Sequence, residues 1–208
     1  MSSALVKVCG VTRVDDALAC AKLGVDLLGL NFHPPSPRHL EAPEAREVAD
    51  AVRGRVQLVG VFVNHSAEEV EANDRLVGLD LLQFHGDEPA DWVAAFGGRA
   101  LPAFRVDPMV DFAPLELLEY PECWGFLFDV RRPEAYGGSG VSWPYDRIAA
   151  VAVARPTLVA GGITPATAGE ALERSGAGGV DVCSGVESAP GIKDVAAIER
   201  LVEEVKGG

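Results

Sequence analysis

Basic residues are scarce in this chain: 18 Lys and Arg stand against 31 Asp and Glu among 208 residues, a formal net charge of -13 at pH 7. Nucleic acids and anionic membrane surfaces are recognised through concentrated positive charge, so neither is expected as a partner. An anionic small molecule is still admitted if helix N-termini and a few placed Lys or Arg hold it against the overall field. Also missing is any uncharged apolar run of about 18 residues, the length that spans a bilayer. Met1 to Lys7 lacks the apolar region of a signal peptide, and a cytoplasmic location is expected. Cys9, Cys20, Cys123 and Cys183 form no Cys-x-x-Cys or metal-ligand spacing and read as free thiols. No linker, low-complexity tract or shift in composition divides the chain, so residues 1–208 read as one domain.

What is present is a repeated unit: a short β-branched or Leu-rich run, a loop of Gly, Pro, Asn or Asp, then a helical pattern. Strands are predicted at 5–8, 27–31, 57–63, 79–84, 100–106, 125–129, 157–160 and 179–183. Helix starts are signalled by Thr12 with Asp15, by Ser66 with Glu69, by Pro89 as first helical residue, and by Thr164-Pro165. Gly24 closes the first helix, less regular helical patterns lie near 112–118 and 145–153, and the last helix is expected over 194–206. Eight β/α units are the number that closes a (β/α)8 TIM barrel, whose lower size limit is about 200 residues. An open doubly wound sheet would want fewer strands and a G-x-G-x-x-G turn after the first; residues 9–14 read Cys-Gly-Val-Thr-Arg-Val instead.

Strand side chains alternate, so the apolar set must face the helices and the other set the barrel axis. With Val6 and Val8 outward, Lys7 and Cys9 point in. The same parity aims Gln83 and His85, Arg105, Asp129, and Asp181 with Cys183 inward. Charge gathered at the C-terminal mouth of a barrel is costly unless paired, and this is where barrel enzymes do chemistry. Lys7 and Asp181 lie on strands that become neighbours on closure and are expected to form a salt bridge. Gly161-Gly162 after the seventh strand and Ser184-Gly185 after the eighth expose backbone N–H groups of the kind that cradle phosphate. The loop Tyr136-Gly137-Gly138-Ser139-Gly140 offers further N–H groups or a lid.

The runs Lys7-Val8-Cys9-Gly10-Val11-Thr12, Ser36-Pro37-Arg38, Gln83-Phe84-His85-Gly86-Asp87-Glu88, Phe128-Asp129, Ala160-Gly161-Gly162 and Val180-Asp181-Val182-Cys183-Ser184-Gly185-Val186-Glu187 resemble the successive motifs of the phosphoribosylanthranilate isomerases. The resemblance implies a barrel that rearranges phosphoribosylanthranilate to carboxyphenylamino-deoxyribulose phosphate in tryptophan biosynthesis. It implies Cys9 as general base, Asp129 as general acid and Arg38 on the anthranilate carboxylate. It places Gly161, Gly162, Ser184 and Gly185 on the phosphate. His85 is expected at the substrate, with Lys7, Gln83, Arg105 and Asp181 in support. Two departures stand out: Val141-Ser142-Trp143-Pro144-Tyr145 follows Gly140, and Cys183 occupies a position where Ser is more usual.

The chemistry agrees with this assignment: an acid must open the sugar ring and a base must remove the C2 proton, which requires neither metal nor organic cofactor. Asp129 would have to hold a proton when substrate arrives, through burial or the substrate's own charge. Cys9 would have to act as thiolate, with help from Lys7 unless Asp181 engages that lysine. The related histidine-pathway isomerase would carry Asp where Cys9 stands. A catalytically silent metabolite-binding barrel is the reading from another class. The sole partner expected is a small phosphorylated substrate, with monomer and homodimer both open. An electropositive mouth made from Arg38, Lys7 and the loop amides is expected on an otherwise acidic shell.

Overall fold

A computed structural model describes residues 4–106, 120, 122–130, 145–149 and 155–207. Its eight parallel strands close in sequence order into a barrel. They are β1 (Leu5–Cys9), β2 (Leu27–Asn31), β3 (Gln57–Phe62), β4 (Leu81–Phe84), β5 (Ala100–Val106), β6 (Phe126–Val130), β7 (Thr157–Ala160) and β8 (Gly179–Val182). Around them lie α1 (Val14–Leu23), α2 (Ala42–Val52), α3 (Ala67–Val77), α4 (Ala90–Ala94), α5 (Tyr145–Ala149), α6 (Ala168–Ser175) and α7 (Val195–Lys206). A small antiparallel hairpin, β9 (Glu187–Ala189) and β10 (Ile192–Lys193), follows β8. Among the described residues no helix is long and apolar enough to cross a membrane.

The alternation expected from the sequence holds. Val6, Val8, Leu28, Phe62, Phe84, Phe126, Phe128, Val180 and Val182 pack in the shell between strands and helices. Leu27, Val59, Leu81, Leu101, Leu127 and Leu158 fill the axis. Strand register and barrel stagger stack the interior in layers from alternate strands. One layer holds Lys7, Val59, Leu101 and Leu158; above it lie Gly29, Gln83, Leu127 and Asp181; then Cys9, Val61, Ala103 and Ala160. The charged Lys7 and Asp181 thus lie in adjacent layers among leucine and valine side chains, and in the layer above them the small Ala103 and Ala160 leave room beside Cys9.

The opposite end is held by devices that serve stability. Asp26 and Asp80 precede strands and accept the backbone N–H of Val6 at 2.8 Å and of Leu58 at 2.7 Å. Arg99 bridges Asp74 to the Leu79 carbonyl, so residue 79 serves the turn and β4 begins only at Leu81.

Three helix starts differ from expectation. Thr12 gives its hydroxyl to the Gly191 carbonyl at 2.7 Å and caps nothing; α1 begins after Arg13 with no side-chain cap. Pro89 is the N-cap of α4 rather than its first residue. Thr164 has its N–H taken by the Thr167 hydroxyl at 3.0 Å, which makes a separate turn and delays α6 to Ala168. Ser66 and Glu69 do form the expected reciprocal cap, and Gly24 closes α1 in the left-handed region. The expected helix at 112–118, the glycine loop 136–140 and residues 141–144 lie outside the described residues.

Candidate active site

Cys9 ends β1, and Gly29 on the neighbouring strand gives its thiol room: a Cβ there would lie 2.9 Å from Cys9 Sγ and 3.0 Å from Cys9 Cα. The thiol is held well below its ordinary pKa. A hydrogen bond from Cys183 is the largest cause; burial opposes it, and the charges of Lys7 and Lys193 add to the lowering. Cys183 is pushed the other way by the same hydrogen bond and by burial.

Lys7 is fully buried and its Nζ lies 2.9 Å from Asp181 Oδ1, the salt bridge expected from strand adjacency. Opposite charge at that distance, away from solvent, holds the pair. Burial works against the Lys7 ammonium, yet Asp181 and Cys9 outweigh it and raise its pKa. Burial pushes Asp181 up to about 6 in spite of Lys7.

Gln83, 1% exposed, places its Nε2 2.9 Å from His85 Nδ1, and His85 Nε2 lies 3.1 Å from Asp129 Oδ2. With Gln83 Nε2 as donor, Nδ1 accepts and Nε2 is the ring nitrogen that faces the carboxylate. His85 thus has both ring nitrogens engaged by protein, which ties it to Asp129 more directly than to a ligand. Arg105 is beside Asp129 in register, but its half-exposed guanidinium turns to the His85 carbonyl at 3.1 Å and toward Asp87 at 3.8 Å.

Arg38 crosses the mouth beside Gly10, whose φ of +68° and missing Cβ make room for the arginine's aliphatic stem. Its Nε and Nη2 grip Glu187 at 2.8 and 2.6 Å. Glu187 also accepts from Lys193 Nζ at 2.8 Å. Sequence reading gave no role to Glu187 or Gly29 and did not see Lys193 at all. The electropositive mouth is accordingly rearranged: Lys7 is neutralised by Asp181, and it is Lys193 that makes the Arg38, Glu187 and Lys193 group net positive.

Gly161 and Gly162 turn the chain at φ of +102° and +65°, conformations that favour glycine. A Cβ on Gly185 would collide with the Ile163 carbonyl oxygen, so the loops after β7 and β8 are in direct contact and present Gly161, Gly162, Ser184 and Gly185 together. An open cleft of about 570 Å³ lined by Thr164, Pro165, Ala166, Arg200, Glu203 and Glu204 contains none of these groups.

These features define a (β/α)8 enzyme built for acid and base chemistry at its C-terminal mouth. The family model of N-(5'-phosphoribosyl)anthranilate (PRA) isomerase matches residues 6–204. The N-(5'-phosphoribosyl)anthranilate isomerase of Myxococcus xanthus is 42% identical over 206 residues, covering 98% of this chain and 97% of its own. The crystal structure of phosphoribosylanthranilate isomerase from Thermotoga maritima superposes with a TM-score of 0.86 at 32% identity, covering 99% of this chain and 100% of that one. A phosphoribosylanthranilate isomerase in complex with reduced 1-(o-carboxyphenylamino)-1-deoxyribulose 5-phosphate superposes at 0.83 with 29% identity and the same coverage. The chain belongs to the phosphoribosylanthranilate isomerase family.

Proposed function

We propose that the chain catalyses the Amadori rearrangement of N-(5'-phosphoribosyl)anthranilate to 1-(2-carboxyphenylamino)-1-deoxyribulose 5-phosphate in tryptophan biosynthesis, with Cys9 as general base and Asp129 as general acid. The observation that carries the assignment is the polarity of the mouth: a thiol of depressed pKa ends β1, and a carboxylate 3.1 Å from His85 Nε2 ends β6. The phosphate is held by Gly161, Gly162, Ser184 and Gly185 between these two flanks, and Arg38 takes the anthranilate carboxylate through its Nη1, which has no partner among the described residues.

Asp129, protonated in the substrate complex, gives its proton to the furanose ring oxygen, and the carboxylate left behind accepts from His85 Nε2. The ring C–O bond breaks, and the nitrogen lone pair forms the C1–N double bond. The Cys9 thiolate then removes the C2 proton, and the C2–H electrons move to C1–C2 to give the enolamine, which tautomerises to the ketose. Lys7 and Asp181 act through Cys9 by the charges they set beneath it, Gln83 by fixing the His85 tautomer, and Arg105 by holding the His85 main chain. The reaction belongs in the cytoplasm with the rest of an amino-acid pathway. Monomer and homodimer both stand as assemblies, and light scattering decides between them.

A coupled assay on phosphoribosylanthranilate with wild type, Cys9→Ser and Asp129→Asn tests the reading. Turnover by wild type and its loss in both variants is expected. Wild-type inactivity overturns the function, leaving a silent binding barrel, and an unimpaired Asp129→Asn overturns the acid.

A further inference from the structure

The β9–β10 hairpin folds back over the seam where β8 meets β1 and carries Lys193 into it. This lysine side chain is fully buried, and a buried ammonium persists only when its charge is paired and its three protons are satisfied. Lys193 Nζ donates to the Cys9 carbonyl at 2.6 Å, to Glu187 Oε1 at 2.8 Å and to the Cys183 carbonyl at 3.3 Å. Its backbone N–H is anchored on Asp16 of α1 at 3.1 Å. Glu187 is committed in turn: Oε1 takes Arg38 Nε at 2.8 Å and the Gly191 N–H at 3.3 Å, and Oε2 takes Arg38 Nη2 at 2.6 Å. A seam clamp alone would need one carboxylate partner. Here the ammonium, besides its carboxylate partner Glu187, ends on the main chain of the base and, through that carboxylate, on the residue assigned to the substrate's anthranilate carboxylate.

We propose that Lys193 is a positioning residue of the isomerase reaction: it fixes the Cys9 end of β1 and, through Glu187, the Arg38 guanidinium, so that base and carboxylate clamp keep one spacing and orientation. This rests on the assignment of Cys9 and Arg38 above. The geometry has an electrostatic corollary. The groups facing the Cys9 thiol are Lys7 on its own strand, His85 beyond β4, Asp181 and Cys183 on β8, Arg38 beyond β2, and Lys193 on the hairpin. Only Lys7, already spent on Asp181, and Lys193, bound to Cys9's own carbonyl, are buried cations.

The experiment compares wild type with Lys193→Met and Lys193→Arg in the full chain. Alkylation of Cys9 by iodoacetamide, without substrate, is followed from pH 5 to pH 9 by mass spectrometry of the Cys9 peptide, beside kcat, KM and thermal melting. In Lys193→Met the alkylation midpoint is expected to rise by about one pH unit. Its kcat/KM is expected to fall about tenfold, with KM carrying part of the loss because Glu187 no longer locks Arg38. Lys193→Arg, which keeps the charge, is expected to recover most of the midpoint. A Lys193→Met protein that melts lower but keeps the wild-type midpoint and KM marks a seam clamp and overturns the proposal. Since alkylation is read without substrate, a wild type inactive on phosphoribosylanthranilate while the midpoint still shifts would sink the functional assignment and leave the Lys193 geometry standing.

Discussion

His85 Nε2 stands 3.1 Å from Asp129 Oδ2, with the other ring nitrogen held by Gln83 at 2.9 Å. The imidazole thus orients the carboxylate proposed to protonate the substrate. Replacing His85 with Asn or Ala is expected to lower kcat about 100-fold, the low end of the range for a lost acid-base contribution, with the far-UV CD spectrum unchanged. A variant of wild-type kcat would show that Asp129 works without the ring to orient it.

Gly29 leaves the space that the Cys9 thiol occupies, and an added methyl would meet both the Sγ and the backbone of Cys9. Neither can retreat far, because the Cys9 carbonyl is tied to Lys193. Gly29→Ala is expected to lose about 100-fold in kcat/KM, the scale of a misplacement of about 1 Å, while denaturant titration shows a loss of about 1–3 kcal/mol.

Cys183 can be read through pH. As the proposed base, Cys9 works as thiolate, so activity is expected to fall as pH drops through the Cys9 pKa, and the Cys183 hydrogen bond is the largest cause of its lowering. Cys183→Ala removes the donor and should move the acid limb of the kcat/KM profile to higher pH. Cys183→Ser retains a donor and should restore most of the shift. Coincident acid limbs in all three proteins would exclude this role.

Asp181 should be visible in stability. Its pKa is pushed from 3.8 to about 6 by burial, so the folded chain binds a proton there that the unfolded chain has released. Its contribution is therefore fullest below about pH 4 and is lost as pH rises through 6. Urea titrations at pH 4, 5 and 6 should show wild type losing more stability across that window than Asp181→Asn. Parallel slopes would contradict the burial of an ionisable Asp181.

The barrel and the inward set were legible because strand alternation is a property of the backbone, so one outward pair such as Val6 and Val8 assigns Lys7 and Cys9 without reference to anything distant. The Lys7 and Asp181 pairing followed from closure alone. Lys193 was not legible, since a hairpin of five strand residues has too little periodicity to announce which way it turns. Thr12 misled for a related reason: its hydroxyl looked like a cap to α1, but a carbonyl 179 positions away, in the loop of that same hairpin, competes for it. Arg38 could be named from its motif, while its grip by Glu187 depended on where the hairpin returns.

That hairpin also sets an order on assembly. Thr12 is bonded to Gly191, the Cys9 carbonyl and the Asp16 carboxylate to Lys193, and Asp26 with the Gly24 carbonyl to Lys206. The first strand-helix unit is therefore finished only by the last stretch of chain. During synthesis the barrel wall can form strand by strand, but the base stays unanchored until residue 193 has emerged. The setting of the proposed base thus depends on the hairpin, and a chain cut short of it would leave the Cys9 carbonyl without its lysine.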